Sequence, residues 1–249
     1  MTKHFFAIAA LLALVTPSQA HQIWIEQADG QNAVIRFGEF GYNLREASPG
    51  LLDKFVKPTG SLISTKGEQK SDATKTANGF TLPFSAAPGD GIVAEDASYP
   101  LYTWKQQGKE VINWFYPAAR FITSFAAQQP KLALDLVPTG QEGQFKLFFK
   151  DQPKAKTKVT LVTQSGWSKE ALTDEQGLVK FDMPWKGVYV AEVSFNDRSA
   201  GERAGASGTE KYEAVSYATT VTYVNTKGLA PIPAGPPTTP AGPPATPAK

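Results

Sequence analysis

Beyond residue 20 the chain is written in short runs in which apolar and polar residues alternate, seldom at the three-to-four spacing of a helix. Gly, Pro, Asn and Asp clusters interrupt these runs about every ten residues, as they do in sandwiches and barrels. The pattern predicts strands over Gln22 to Gln27, Ala33 to Phe37, Ser61 to Thr65, Phe80 to Phe84 and Gly91 to Glu95. Gly41 to Pro58 reads as a long loop carrying a short helix. Trp104 to Ala127 fits a helix face as well as a strand, but Pro117 breaks either. The expectation there is an extended segment, a bend at Pro117 and a strand from Ala119 to Phe125.

From Lys131 the alternation sharpens. It predicts strands over Leu132 to Val137, Gln144 to Phe149, Lys158 to Val162, Glu170 to Leu172, Leu178 to Asp182, Val188 to Phe195 and Ala214 to Val224. Seven strands suggest an immunoglobulin-like or transthyretin-like sandwich. Thr173-Asp174-Glu175-Gln176-Gly177 supplies a tight turn between two of them. The fold class expected is therefore all-β, with two β-sandwich domains, 21–128 and 129–226, meeting near Gln128 to Pro130. Asn196 to Lys211 reads as a mobile loop. Residues 227–249 end in a near-repeated Pro, Ala, Gly and Thr tract from Ala230 that has no core-forming side chains, and this tail is expected to be disordered.

The first twenty residues read as a secretory signal peptide: Lys3, an apolar run from Phe5 to Val15, then small residues up to Ala20. That run is too short to span a bilayer. Cleavage after Ala20 makes His21 the first residue of a periplasmic protein with no membrane span in the mature chain. The 249 residues contain no cysteine, which removes disulfides, thiolate metal sites and a catalytic thiol. Of 25 Lys and Arg against 23 Asp and Glu, Lys3 leaves with the signal, and the resulting balance argues against a nucleic-acid footprint.

Candidate chemistry gathers at the new N-terminus. His4 also leaves with the signal, so His21 is the sole remaining imidazole of the two in the chain. Its Nδ1 and a free α-amino nitrogen can close a six-membered chelate on one divalent ion, a donor pair suited to copper or nickel. Both donors bind only when deprotonated, so binding fades in mild acid. A third ligand must come from elsewhere, and Glu26 and Glu39 are the nearest carboxylates. Alternation puts His21 on the face of Ile23 and Ile25, opposite Glu26, which favours Glu39 at the end of the next strand. The plainer reading makes the ring an exposed chain end and Glu39 a solvated carboxylate at a glycine-rich turn.

Enzyme readings fare poorly, and the protein is expected not to be one. A second histidine for a copper oxygenase is missing, a serine triad has no base to spare, and neither a nucleophile elbow nor a phosphate loop is present. Five tryptophans, at 24, 104, 114, 167 and 185, belong to the core or line a ligand cleft, with Trp24 placed to shield the metal end.

His21-Gln22-Ile23-Trp24-Ile25 after a cleavage site resembles the His-x-x-Trp-Leu opening of a bacterial periplasmic family of unknown function, whose members were once called NikM-like nickel-uptake components. Ile35-Arg36-Phe37-Gly38-Glu39 resembles its second-strand turn. Leu134-Asp135-Leu136-Val137-Pro138 resembles the step into its second domain, and Thr173 to Tyr189 its transthyretin-like hairpin, also seen in carboxypeptidase regulatory domains. The resemblance implies a non-enzymatic accessory in transition-metal uptake, beside a metal transporter or a TonB-dependent-type receptor. Family members with histidine in that turn would bind more strongly than this chain with Glu39, which leaves nickel, cobalt, copper and iron all open. The alternative is a metal-independent envelope module that binds a peptide, a glycan or an outer-membrane receptor.

Overall fold

The computed structural model describes residues 21–106, 108–205, 207–238 and 240, so the segment read as a signal peptide and the last nine residues lie outside the described residues. It is nearly all β, with two short 3-10 turns, Phe40–Tyr42 and Leu51–Lys54, inside the region read as a loop with a short helix. Among the described residues no helix is long and apolar enough to cross a membrane.

The first half contains β1 (Gln22–Glu26), β2 (Val34–Glu39), β3 (Leu44–Arg45), β4 (Thr59–Ser64), β5 (Gly67–Asp72), β6 (Thr74–Thr76), β7 (Gly79–Thr81), β8 (Gly91–Glu95), β9 (Leu101–Gln106) and β10 (Lys109–Ile122). The second contains β11 (Leu134–Pro138), β12 (Gln144–Phe149), β13 (Gln152–Pro153), β14 (Lys158–Thr163), β15 (Ser168–Leu172), β16 (Leu178–Lys180), β17 (Gly187–Asp197), β18 (Gly201–Gly205), β19 (Gly208–Tyr212) and β20 (Ala214–Asn225). A five-stranded sheet runs β1-β2-β7-β6 with β3 on β2, and a four-stranded sheet joins β11, β12, β13 and β16. Between them lies a nine-stranded sheet in the order β15-β14-β17-β20-β10-β8-β4-β5, with β9 also paired to β10.

That central sheet draws strands from both halves. β10 pairs in parallel with β20 from Asn113↔Ala214 to Ile122↔Tyr223, so the expected boundary divides two cores but not two sheets. Successive side chains on a strand point to opposite faces, and β10 uses both. Ala119 and Phe121 enter the first core with Ile23, Ile35, Phe37 and Leu82. Ile122 enters the second with Leu134, Leu136, Phe145 and Val221.

The expected bend at Pro117 is corrected: β10 runs straight through it. One edge of β10 pairs β9 as far as Trp114 and β8 from Ala118 onward. Pro117 falls between these partners, where its missing N–H breaks no ladder bond. Its carbonyl still accepts from the Asp96 amide at 3.2 Å.

Asn196 to Lys211 is corrected too. Most of it belongs to β18 and β19, which pair as a hairpin. Arg203 pins it by pairing with Glu210 at 2.9 Å and donating to the carbonyls of Ala97 and Tyr99. The described part of the proline-rich stretch also has partners: Thr238 donates its amide to the Asn43 carbonyl at 3.2 Å and its hydroxyl to that of Tyr42 at 2.7 Å. The Asn43 side chain donates to Gly235 at 2.8 Å.

Candidate functional site

The β1–β2 ladder sets Gln22 against Gly38, which carries His21 to the end of the strand pair beside Glu39. The chain then reverses through Phe40–Tyr42, with Asn43 in the left-handed conformation, and β3 returns along Gly38 and Glu39. This approach needs a glycine. Gly38 has φ +142°, and a Cβ there would collide with the Leu44 carbonyl oxygen. The return brings the Glu46 amide to the Phe37 carbonyl at 2.8 Å and its buried carboxylate to the imidazole.

His21 therefore stands between two acids. Nε2 lies 2.7 Å from Glu46 Oε1, and Nδ1 lies 3.4 Å from Glu39 Oε1. The ring tilts against Phe37, centroids 5.2 Å apart. Burial raises the Glu39 carboxyl above its ordinary value; His21 opposes the shift and the Glu46 carboxylate adds to it. Glu192 on β17 belongs to the same electrostatic neighbourhood. Burial pushes it up to about 7 against a lowering hydrogen bond from Gln22, and Glu39 pushes it further. The Gln22 side-chain oxygen is itself buried without a hydrogen-bond partner among the described residues.

Carboxylates held this way favour a proton or a cation. With Glu46 holding Nε2, the ring is oriented so that Nδ1 faces Glu39, the arrangement by which a carboxylate positions a ligating histidine. An imidazole nitrogen and a carboxylate oxygen 3.4 Å apart are spaced as two ligands of one ion, each about 2.1 Å from it. Among the described residues no group of three His, Cys, Asp or Glu side chains is arranged to hold an ion unaided. The α-amino nitrogen needed to complete the chelate exists only after cleavage before His21.

Glu26 lies on the other face of β1. It accepts from Arg45 at 2.6 Å, Arg36 at 2.8 Å and Trp24 Nε1 at 3.0 Å. Burial alone would raise its carboxyl, but Arg45, Trp24 and Arg36 together hold it below the ordinary value. Trp24 does not shield the site: it is buried against Phe40, Val162 and Val190.

His21 and Glu39 open onto a cleft of about 1390 Å³, whose walls include Tyr42, Tyr102, Trp104, Glu192 and the Gly235–Pro236 stretch. Sequence reasoning missed Glu46 and Glu192. Glu46 reaches the imidazole only because the left-handed Asn43 turns the chain back, and Asn is the residue that most readily tolerates that conformation after Gly. Glu192 did carry a signal, an acid following Val188 and Val190 on one face of an otherwise apolar strand.

No protein-family model matches the chain, and no curated protein matches it. The likeness to the NikM-like family rests on the short motifs alone.

Proposed function

We propose that this protein is a non-enzymatic accessory of the bacterial envelope that binds a divalent transition metal, copper, nickel, cobalt or iron, at its processed N-terminus. It would pass the ion to a transporter or a TonB-dependent-type receptor. The ligands are the α-amine and Nδ1 of His21 with a Glu39 oxygen, and Glu46 fixes the ring. The observation that carries this reading is the seating of the imidazole, Nε2 at 2.7 Å from the buried Glu46 carboxylate and Nδ1 at 3.4 Å from the partly buried Glu39 carboxylate. An anionic surround with upward-shifted carboxyls favours a cation at that point.

The test titrates the mature protein with Cu(II) and Ni(II) at neutral pH, beside His21→Ala and a form carrying one extra residue before His21. Both changes are expected to abolish tight binding. Equal binding by the extended form would rule out the N-terminal chelate.

A metal-independent binding module is the second reading, favoured by the volume of the cleft, about 1390 Å³. In that case His21→Ala leaves partner capture from an envelope extract unchanged, with or without a chelator.

A further inference from the structure

The cleft is much larger than the metal end requires. An ion with six waters displaces on the order of 200 Å³, at about 30 Å³ per water, whereas the cleft holds about 1390 Å³. The rest of its lining is of a different chemical kind.

Its floor is one face of the central sheet, and the strand registers define that face. Thr160 lies opposite Glu192, Asn196 opposite Ser216, Ser216 opposite Phe115, and Asn113 opposite Tyr102. Residues opposite one another across a ladder share a face, so these side chains all stand on the same side. The reverse side of β14 and β17, with Val159, Leu161, Ala191 and Val193, is packed into the second core.

Three of the floor residues, Tyr102, Ser216 and Asn196, are wired together with the buried Asn113 across four adjacent strands. Asn113 Nδ2 donates to the Tyr102 hydroxyl at 2.5 Å and to Ser216 Oγ at 3.0 Å, and Ser216 Oγ donates to Asn196 Oδ1 at 2.9 Å. The row holds amides and hydroxyls in set orientations before any ligand arrives. Two residues along β9 from Tyr102, Trp104 shares its face. Tyr102 is 41% exposed and Trp104 43%, large flat rings left open on the wall of a cleft.

Flat aromatic faces beside fixed amides, hydroxyls and carboxylates match one ligand chemistry. A pyranose ring offers an apolar C–H face that packs on the electron-rich face of an indole or phenol. Its edge offers hydroxyls that donate and accept at once, which Asn, Ser and Glu side chains answer in both senses. An extended peptide would instead seek an unpaired sheet edge. The rings and the polar row stand on the sheet face and not along an edge, although β9 and the Val193–Asp197 end of β17 are each paired on one side only.

We propose that the cleft binds an oligosaccharide, with one sugar ring stacked on Trp104 and with Tyr102, Ser216 and Asn196, the first two held in place by the buried Asn113, hydrogen-bonding the hydroxyls of the ring beside it. The site stands apart from the metal reading, since none of these residues is a proposed ligand. The volume of the cleft, about 1390 Å³, leaves room for several linked rings.

The test is calorimetric titration of the mature protein with soluble hexasaccharides of β-1,4-linked N-acetylglucosamine, β-1,4-linked glucose and α-1,4-linked glucose, with tryptophan fluorescence as a second readout. At least one is expected to bind, with a change in tryptophan emission. Trp104→Ala is expected to weaken binding about tenfold, the loss usual for a stacked aromatic anchor. Asn196→Ala should weaken it several-fold. A chelator should leave sugar affinity unchanged while removing metal binding, and Trp104→Ala should leave metal affinity unchanged, so each reading fails separately. Circular dichroism confirms that the variants fold, which half-exposed positions permit. Absence of binding by all three hexasaccharides at millimolar concentration, or binding indifferent to Trp104→Ala, overturns the proposal.

Discussion

Two clusters of buried charge sit on this fold, and they are built on opposite principles. At the junction of the halves, Arg120 and Asp135 are wholly buried and meet through two parallel bonds, Nε to Oδ1 at 3.0 Å and Nη2 to Oδ2 at 2.5 Å. Gln128 and the Gln129 carbonyl accept two more of the guanidinium donors, and the amides of Lys131 and Leu132 donate to Asp135. Charge is balanced and four of the five guanidinium N–H groups are used. Around His21 the balance is missing: Glu39 and Glu46 flank one imidazole, and Glu192 adds its charge beside Glu39. The first cluster closes a structure, and on the proposed reading the second awaits a cation. Burial by itself therefore says little about role; residual charge separates them.

The largest effect expected from this contrast is on stability. Asp135→Ala leaves the Arg120 guanidinium buried and uncompensated and should cost about 3–5 kcal/mol, read by chemical denaturation. Replacing both partners together, Arg120→Met with Asp135→Leu, should recover most of that loss. Failure to recover would show that the bonds to Gln128 and Gln129 matter more than the pair.

Next comes Glu46→Gln, which keeps shape but removes the charge orienting the imidazole. Metal affinity should fall about 10- to 100-fold, the usual effect of removing a ligand's supporting carboxylate. Thermal stability in the absence of metal should hold or rise, because a repulsive charge has gone.

The pH dependence of the apo protein gives a third handle. Glu192 titrates at about 7 in the fold against an ordinary 4.5, so the folded chain keeps a proton that the unfolded chain has released. Its contribution is full below 4.5 and is lost as pH rises through 7. Apo Tm should fall by several degrees over that window, at about 2–4 °C per kcal/mol for a chain of this size, and Glu192→Gln should flatten the fall.

The smallest effect is expected at Glu26. Glu26→Gln should leave metal affinity unchanged within error and cost less than about 1 kcal/mol, since its pairs with Arg36 and Arg45 are partly solvated.

Strands with an apolar run or one dry face were legible in the sequence: Gly91–Glu95, buried almost throughout, and Gln144–Phe149, buried on one face, coincide with expectation to the residue. β5 was not, because Gly67–Asp72 is polar on both faces and leaves no alternation to detect. The β18–β19 hairpin escaped for the same reason. It is held by Arg203 reaching residues about a hundred positions away, which no local pattern encodes. The parallel pairing of β10 with β20 also joins distant segments, and two self-contained halves were the natural reading without it. Alternation along β1 placed His21 and Glu39 on common ground and Glu26 apart. It could not supply Glu46 or Glu192, which arrive by a chain reversal and by a strand far along the sequence.

Gly235, Pro236 and Thr238 form part of the cleft wall while contributing no side chain to either core. Their hold on Tyr42 and Asn43 is three hydrogen bonds, where parting the central sheet would break whole ladders. This border can therefore yield sideways at small cost, so that on the proposed sugar reading the cleft can admit guests of unequal bulk without disturbing the rigid plate beneath them.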